Sequence, residues 1–344
     1  MRPVGIALRI GFLCLVAGLL VVGAVFAWAR SWTADRLAEL SAGGEDVQTG
    51  AGIQQIARRG SGARVLMIHG EAGGYDQALQ LADLLGLDEA EIIAPSRPGY
   101  LGTPVETGTT IEEQAKALEI LLKELEVGSL PVVAFGTGVP VALWLAAIEP
   151  ELVDRLVLIS GFYSAPPDFP LVLTELVAQP IRQGIAGRLL ENDPQAFISP
   201  VVEMTQTMAA GQVQTTINAI EADPSRLEAM AGFLGTTLPL SPRSQGLRND
   251  FQQLAGTSPL PVNLPACPVL ILHGAADRMA PVGAAHEQSA KLPKANVLTP
   301  PDVGHWPWID AGWSASQKAV ADFLGFTGGH VPGEASSNSA KPAP

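Results

Sequence analysis

The sequence VVAFGTGVP, at residues 132–140, is an apolar run that ends in a turn of small residues. A helix is predicted after the turn, because alanine and leucine recur at helical spacing from Ala142 to Ile148. A strand, a tight turn and a helix in this order are the setting of the G-x-S-x-G motif, whose serine is a nucleophile. In this chain Gly136 stands at the serine position and Ala134 at that of the first glycine. The segment therefore predicts an active-site turn without its hydroxyl.

Short apolar strands alternate with helical segments on both sides of this turn. Thr110 and Glu113 form a capping box, which predicts the start of the helix that precedes it. The alternation is interrupted at residues 161–265, where prolines divide the helical pieces. We predict an α/β fold with a mostly parallel central sheet flanked by helices, built from residues 45–160 and 266–326. Residues 161–265 are predicted to form an inserted helical lid.

The N-terminus carries an uncharged apolar run from Ile10 to Ala29, with Arg9 before it and Arg30 after it. At a rise of 1.5 Å per residue its length is about 30 Å, the thickness of a bilayer core. We expect residues 1–30 to form a single-pass anchor in the cytoplasmic membrane, with the soluble domain on the extracytoplasmic side. The alternative is a signal segment whose cleavage after Ala27-Trp28-Ala29 would make the protein secreted or periplasmic.

Two further segments are predicted outside the folded domain. Residues 31–44 are expected to be a short amphipathic linker. Residues 327–344 are rich in Gly, Ser, Ala and Pro and are expected to be disordered.

Composition excludes several classes of function. The net charge of -13 argues against a nucleic-acid partner, which requires a basic surface. The two cysteines and five histidines show no zinc-ligand spacing, so neither a metal nor another cofactor is expected. Hydrophobic residues make up 47% of the chain, which is enough for a large core.

Four further motifs carry a resemblance to a known family. HGEAGGYDQ at residues 69–77 and PSRPGYLGTP at 95–104 each follow a predicted strand, while HGAADRMAP occupies 273–281 and GHWPW occupies 304–308. With these motifs the chain resembles bacterial members of the α/β-hydrolase family over about residues 45–326.

The resemblance implies a role for individual residues. Asp277 takes the position of the triad acid and His305 that of the triad histidine, with Gly136 at the nucleophile position. The backbone N–H groups of Glu71 and Thr137 take the positions of the oxyanion hole. The loop that carries Glu71 comprises His69, Gly70, Gly73 and Gly74.

Glu71 departs from the family pattern, which has a small or apolar residue there. A carboxylate beside an oxyanion hole opposes developing negative charge unless its side chain points away. The polar residues Arg243, Asn249 and Asp250, near the end of the lid, are expected to be solvated loop positions.

Three functions are compatible with this pattern. The first is a divergent hydrolase or lyase in which His305, oriented by Asp277, acts as a general base. The second is a catalytically silent pseudo-hydrolase that binds a ligand or serves as a scaffold. The third is an esterase with another hydroxyl, such as that of Thr137, as nucleophile. In each case the expected partner is a small hydrophobic ester or acyl compound, and the first residues attach the protein to a membrane.

Overall fold

The computed structural model describes residues 2–164, 179–256, 260–261 and 263–326, with side chains from residue 9 onward. The predicted disordered tail at 327–344 and part of the predicted lid, at 165–178, lie outside the described residues.

An eight-stranded sheet forms the centre of the described structure, in the order β1-β2-β4-β3-β5-β6-β7-β8. β2 pairs antiparallel with β1 and with β4, and the remaining neighbours are parallel. The prediction of a mostly parallel sheet is therefore confirmed. The strands are β1 (Glu45–Thr49), β2 (Gly52–Arg59), β3 (Arg64–Ile68), β4 (Glu91–Pro95), β5 (Leu130–Phe135), β6 (Val153–Ile159), β7 (Val269–Leu272) and β8 (Ala295–Leu298).

Helices cover both faces of this sheet, as the apolar sequence of its central strands requires. On one face α2 and α11 pack over the sheet, and on the other α3, α4 and α10 do so. The described helices are α1 (Arg2–Ala42), α2 (Tyr75–Leu84), α3 (Ile111–Glu124), α4 (Val139–Ile148), α5 (Pro180–Asn192), α6 (Pro194–Thr205), α7 (Ala210–Glu221), α8 (Pro224–Gly235), α9 (Ser244–Leu254), α10 (Val282–Ser289) and α11 (Trp313–Leu324).

Local sequence signals explain where several elements begin. The Thr110 hydroxyl accepts the Glu113 N–H, and the Glu113 carboxylate accepts the Thr110 N–H, so the capping box forms at the start of α3. Helices α5 to α9 lie between β6 and β7, and three of them, α5, α6 and α8, begin with a proline in the first turn.

The N-terminal segment is one continuous helix through Ala42, and this differs from the predicted linker at 31–44. Trp32 and Leu40, eight residues apart, lie on one side of α1 and are buried against the domain. The amphipathic pattern of this stretch is thus satisfied by helix packing. Within the described residues α1 alone is long and apolar enough to cross a membrane, a property that signal sequences share.

Candidate active site

The turn after β5 has a backbone that only glycine adopts without strain. Gly136 has φ +52°, and a short 3-10 turn at Gly136–Gly138 leads directly into α4. A residue with a side chain is disfavoured at this φ, and such strain is typical of functional turns. The structure therefore retains the geometry of the active-site turn at the position where the sequence lacks the serine.

Asp277 and His305, on the loops after β7 and β8, are brought together by the fold. His305 Nδ1 lies 2.8 Å from Asp277 Oδ2, and both side chains are buried. The other carboxylate oxygen, Oδ1, accepts the N–H groups of Met279 and Ala280 at 2.8 and 2.9 Å. Asp277 is thereby fixed in place and determines the orientation of the imidazole.

The Glu71 side chain points into the site, next to Gly136. Its Oε1 lies 2.9 Å from His305 Nε2, and its Oε2 accepts the Thr137 N–H at 3.3 Å. A Cβ atom on Gly136 would overlap with Oε2 of Glu71. The Glu71 carboxylate thus fills the space into which the side chain of a nucleophile would project.

His305 is consequently held between two carboxylates. Burial alone would lower the pKa of His305, but the negative charges of Asp277 and Glu71 outweigh it and raise the pKa to about 10. The imidazole is therefore protonated at neutral pH and donates a hydrogen bond from each ring nitrogen. It has no lone pair with which to accept a proton from water or a substrate.

One donor of the predicted oxyanion hole already has a hydrogen-bond partner. The Thr137 N–H, one of its two predicted donors, binds the Glu71 carboxylate rather than facing an empty position. The Thr137 hydroxyl lies 2.7 Å from Asp250 Oδ2 and 2.8 Å from Arg97 Nη2, away from His305. The structure therefore gives no support for Thr137 as a replacement nucleophile, since no described contact links its hydroxyl to the histidine.

A buried ion pair behind the active-site turn is not indicated by any motif in the sequence. Arg97, which is fully buried, binds Asp250 of α9 through both Nη atoms, at 2.9 and 2.5 Å. The Tyr100 hydroxyl also donates to this carboxylate, at 2.6 Å. The expectation that Arg243, Asn249 and Asp250 are solvated is wrong, because all three are buried. Asp250 pairs with Arg97, and Arg243 pairs with Asp76 of α2 at 3.0 and 2.8 Å.

The glycine-rich loop after β3 is organised by His69 and Gln77. His69 Nε2 accepts the Arg97 N–H at 2.9 Å, and burial together with the neighbouring Arg97 holds the pKa of His69 well below its usual value. Gln77 accepts the Gly70 N–H at 2.8 Å, and the Gly73 N–H donates to the Gly70 carbonyl. His69 is therefore neutral and structural, and the loop is held so that Glu71 faces Gly136.

Aromatic rings enclose the histidine. The ring centroids of Phe135, Phe162 and Trp306 lie 5.2, 5.4 and 5.0 Å from that of His305. Low-dielectric surroundings of this kind strengthen the ion pairs inside them. Among the described residues, no group of three or more His, Cys, Asp or Glu side chains is arranged to hold a metal ion.

A sequence model of the alpha/beta hydrolase fold family matches residues 63–311. This chain belongs to the α/β-hydrolase fold family. The prediction made from the motifs is thereby confirmed.

The relatives of this hydrolase-family chain include hydrolases and esterases. It is 25% identical to the uncharacterized hydrolase YcgS of Bacillus subtilis, over 81% of this chain and 98% of that protein. It is 30% identical to a pimeloyl-[acyl-carrier protein] methyl ester esterase of Aromatoleum aromaticum, over 62% of this chain and 80% of that protein.

A solved structure has the same fold. An alpha/beta hydrolase fold protein from Nakamurella multipartita superposes with a TM-score of 0.73 at 23% identity, covering 82% of this chain and 98% of that one. Within the α/β-hydrolase fold, nucleophile, acid and histidine follow one another in the chain. Gly136, Asp277 and His305 keep this order.

Proposed function

We propose that this hydrolase-family protein is a membrane-anchored, catalytically silent pseudo-hydrolase that binds a small hydrophobic ester or acyl compound. The observation that carries the proposal is the Glu71 carboxylate, which contacts His305 Nε2 and the Thr137 N–H beside a glycine at position 136. Two groups that a serine esterase requires are thus lost. Glycine replaces the nucleophile, and the Glu71 carboxylate occupies one donor of the oxyanion hole.

The charge distribution supports the loss of ester hydrolysis. Ester hydrolysis passes through a tetrahedral intermediate with a negatively charged oxygen, which is stabilised by hydrogen-bond donors. Here a carboxylate stands beside the donor of Thr137 and would repel that oxygen. In serine proteases, removal of the nucleophile alone lowers the rate by about 10⁶.

The protonation of His305 argues against the alternative, a hydrolase or lyase that uses the Asp277–His305 dyad. A general base must be neutral before it accepts a proton. With its pKa raised to about 10 by Asp277 and Glu71, His305 is predominantly the cation at pH 7. An ion pair that stabilises the histidine cation therefore favours a structural role for these residues.

The ligand class and the membrane attachment rest on separate observations. The Aromatoleum relative is named for a methyl ester, and the rings of Phe135, Phe162 and Trp306 give the site an apolar wall. Attachment to a membrane is supported by the apolar half of α1, whose side chains are exposed in the described structure.

A set of four proteins tests the loss of chemistry: wild type, Gly136→Ser, Glu71→Ala and the double variant. Each is assayed for fluorophosphonate labelling and for hydrolysis of nitrophenyl butyrate. We expect labelling and turnover only in the double variant, because the serine needs the space that Glu71 fills. A folded double variant that stays unlabelled would contradict the role assigned to Glu71.

Binding is tested on the wild-type protein with the same ester. The proposal predicts saturable binding of nitrophenyl butyrate and its recovery intact. Turnover by the wild type that disappears in His305→Ala would overturn the proposal in favour of the dyad enzyme.

A further inference from the structure

Asp250 of α9 is the acidic partner of a guanidinium that also binds the loop of Glu71. Arg97 and Asp250 are both buried, and two hydrogen bonds of 2.9 and 2.5 Å join them. Arg97 Nε donates to the His69 carbonyl at 3.0 Å, and its Nη2 donates to the Gly70 carbonyl at 3.3 Å. The guanidinium therefore contacts both α9 and the backbone just before Glu71.

Thr137 connects the ion pair with the Glu71 carboxylate. Its hydroxyl lies 2.8 Å from Arg97 Nη2 and 2.7 Å from Asp250 Oδ2, and its N–H donates to Glu71 Oε2 at 3.3 Å. Burial would lower the pKa of the Arg97 guanidinium, but its neighbours, chiefly Asp250 and to a smaller degree Glu71, raise it. Arg97 is therefore within electrostatic range of both carboxylates.

Two cations and three carboxylates form one charge cluster, which comprises Arg97, His305, Asp250, Glu71 and Asp277. Asp250 pairs with Arg97, while Asp277 binds His305 Nδ1 at 2.8 Å and Glu71 binds its Nε2 at 2.9 Å. His305 thus has two carboxylate partners, and Arg97 has Asp250. Because a buried cation without a partner is costly, removal of the Asp250 charge favours a distribution of one carboxylate for each cation.

Glu71 is the carboxylate that can change partner. Asp277 is fixed by the N–H groups of Met279 and Ala280, whereas the Glu71 carboxylate is bound by His305 and by the Thr137 N–H beside Arg97. A glutamate side chain has several rotatable bonds, so its carboxylate can turn while the backbone stays in place. Transfer of Glu71 to Arg97 would leave Asp277 as the partner of the histidine.

The position of Asp250 depends on how α9 packs against the loop after β4. The Gly246 N–H donates to the Gly99 carbonyl at 2.9 Å, and a Cβ atom on Gly246 would overlap with the Tyr100 ring. The Tyr100 hydroxyl donates to Asp250 at 2.6 Å. These close contacts hold the carboxylate of α9 against Arg97.

We propose that Asp250 is a positioning residue, which neutralises Arg97 and so leaves the Glu71 carboxylate to bind His305 and fill the space beside Gly136. Without the Asp250 charge, Glu71 pairs with Arg97 and leaves His305 Nε2 free. The occupancy of the site thereby depends on α9. The inference concerns the regulation of this site and rests on the proposed function, in which Glu71 blocks it.

Fluorophosphonate labelling of full-chain variants that carry Gly136→Ser tests which partner Glu71 takes. The serine is labelled only when Glu71 has left the space beside it, so labelling reports the position of the carboxylate. Glu71→Ala in this background is the positive control. Asp250→Asn removes one charge of the ion pair, and Asp250→Asn combined with Arg97→Gln removes both. Val320→Ala, which truncates a buried side chain of α11, is the control for destabilisation alone.

The inference predicts labelling with Asp250→Asn at a level comparable with that of Glu71→Ala. It predicts no labelling with Val320→Ala or with both charges removed, because Glu71 then has no cation other than His305 to bind. A merely loosened structure would give the opposite order, with more labelling after two substitutions than after one. Asp250→Ala, which admits water beside Arg97, replaces Asp250→Asn with the same expectation if the latter does not fold.

The outcomes separate failure of the inference from failure of the proposed function. A folded Asp250 variant that stays unlabelled while Glu71→Ala is labelled would overturn the inference alone. Labelling of the variant without either charge, or of Val320→Ala, would also overturn it. Absence of labelling with Glu71→Ala would overturn the blocking role of Glu71 in the proposed function, and the inference with it.

Discussion

The Glu71 carboxylate occupies the space into which a side chain on residue 136 would project, 65 positions further along the chain. The two residues are therefore a complementary pair, since glycine makes room for the carboxylate and the carboxylate excludes a larger residue. His305 connects this pair to Asp277 and forms a chain of alternating charges, carboxylate, imidazolium and carboxylate.

Gly136→Ala should lower the free energy of unfolding by about 2–4 kcal/mol, because it adds both strain at a positive φ and overlap with Glu71. In the Glu71→Ala background the same change should cost only about 1 kcal/mol, which is the strain alone. Urea unfolding of the four proteins gives the coupling free energy.

Gly128→Ala is the control for this double-mutant cycle of Gly136→Ala and Glu71→Ala, since a Cβ atom at position 128 meets no atom within 4 Å. Additive effects of Gly136→Ala and Glu71→Ala would contradict the contact between the two positions.

The pH dependence of stability follows from His305. Its pKa is raised from 6.5 to about 10 in the folded protein, so the stabilisation is fully present below pH 6.5 and is lost as the pH rises toward 10. The free energy of unfolding should fall over this range, by on the order of 5 kcal/mol if no other group compensates. Glu71→Gln removes one of the two carboxylates that raise this pKa, so the fall should become smaller and occur at lower pH.

Denaturant unfolding between pH 6 and 10 measures this effect. The matched control is Glu287→Gln, because Glu287 pairs with Lys291 on the surface and does not contact His305. An identical pH profile for wild type and Glu71→Gln would show that Glu71 does not stabilise the histidine cation.

The sequence predicted those parts of the site that depend on local pattern. Asp277 and His305 each follow a strand, and the carboxyl ends of neighbouring parallel strands meet at one edge of the sheet. The direction of the Glu71 side chain could not be predicted from the local sequence, because it depends on a loop that Gln77 and Arg97 hold in place. The glycine at position 136 and the glutamate at position 71 are both visible in the sequence. Their joint departure from the family pattern is the signal from which their contact could have been predicted.

The buried charges were predicted poorly for a related reason. Asp250 is 153 residues from Arg97, so nothing near either residue in the sequence indicates their pairing. A polar residue in a proline-rich region is more often solvated than buried. Only the three-dimensional fold brings the guanidinium of the β4 loop under α9.

Asp250→Asn should destabilise the protein by about 3–5 kcal/mol, because it leaves the buried Arg97 charge without its partner. Asp322→Asn, which breaks the exposed pair between Asp322 and Lys318, is the matched control and should cost less than about 1 kcal/mol. Chemical unfolding of both variants provides the comparison. Equal effects would mean that the buried pair contributes no more than a surface pair.

Gly187→Ala should separate α5 from α1 and lower the free energy of unfolding by about 1–3 kcal/mol, because the new methyl group overlaps with the Trp32 ring. Gly211→Ala, on α7, meets no atom within 4 Å and should instead stabilise the protein by up to about 1 kcal/mol, the helix preference of alanine over glycine. Replacing Trp32 by leucine in the Gly187→Ala protein should recover part of the loss, since it removes the ring that the methyl group meets. Unfolding of the full chain in detergent measures all three, and a stabilising Gly187→Ala would contradict the close contact between α5 and Trp32 of α1.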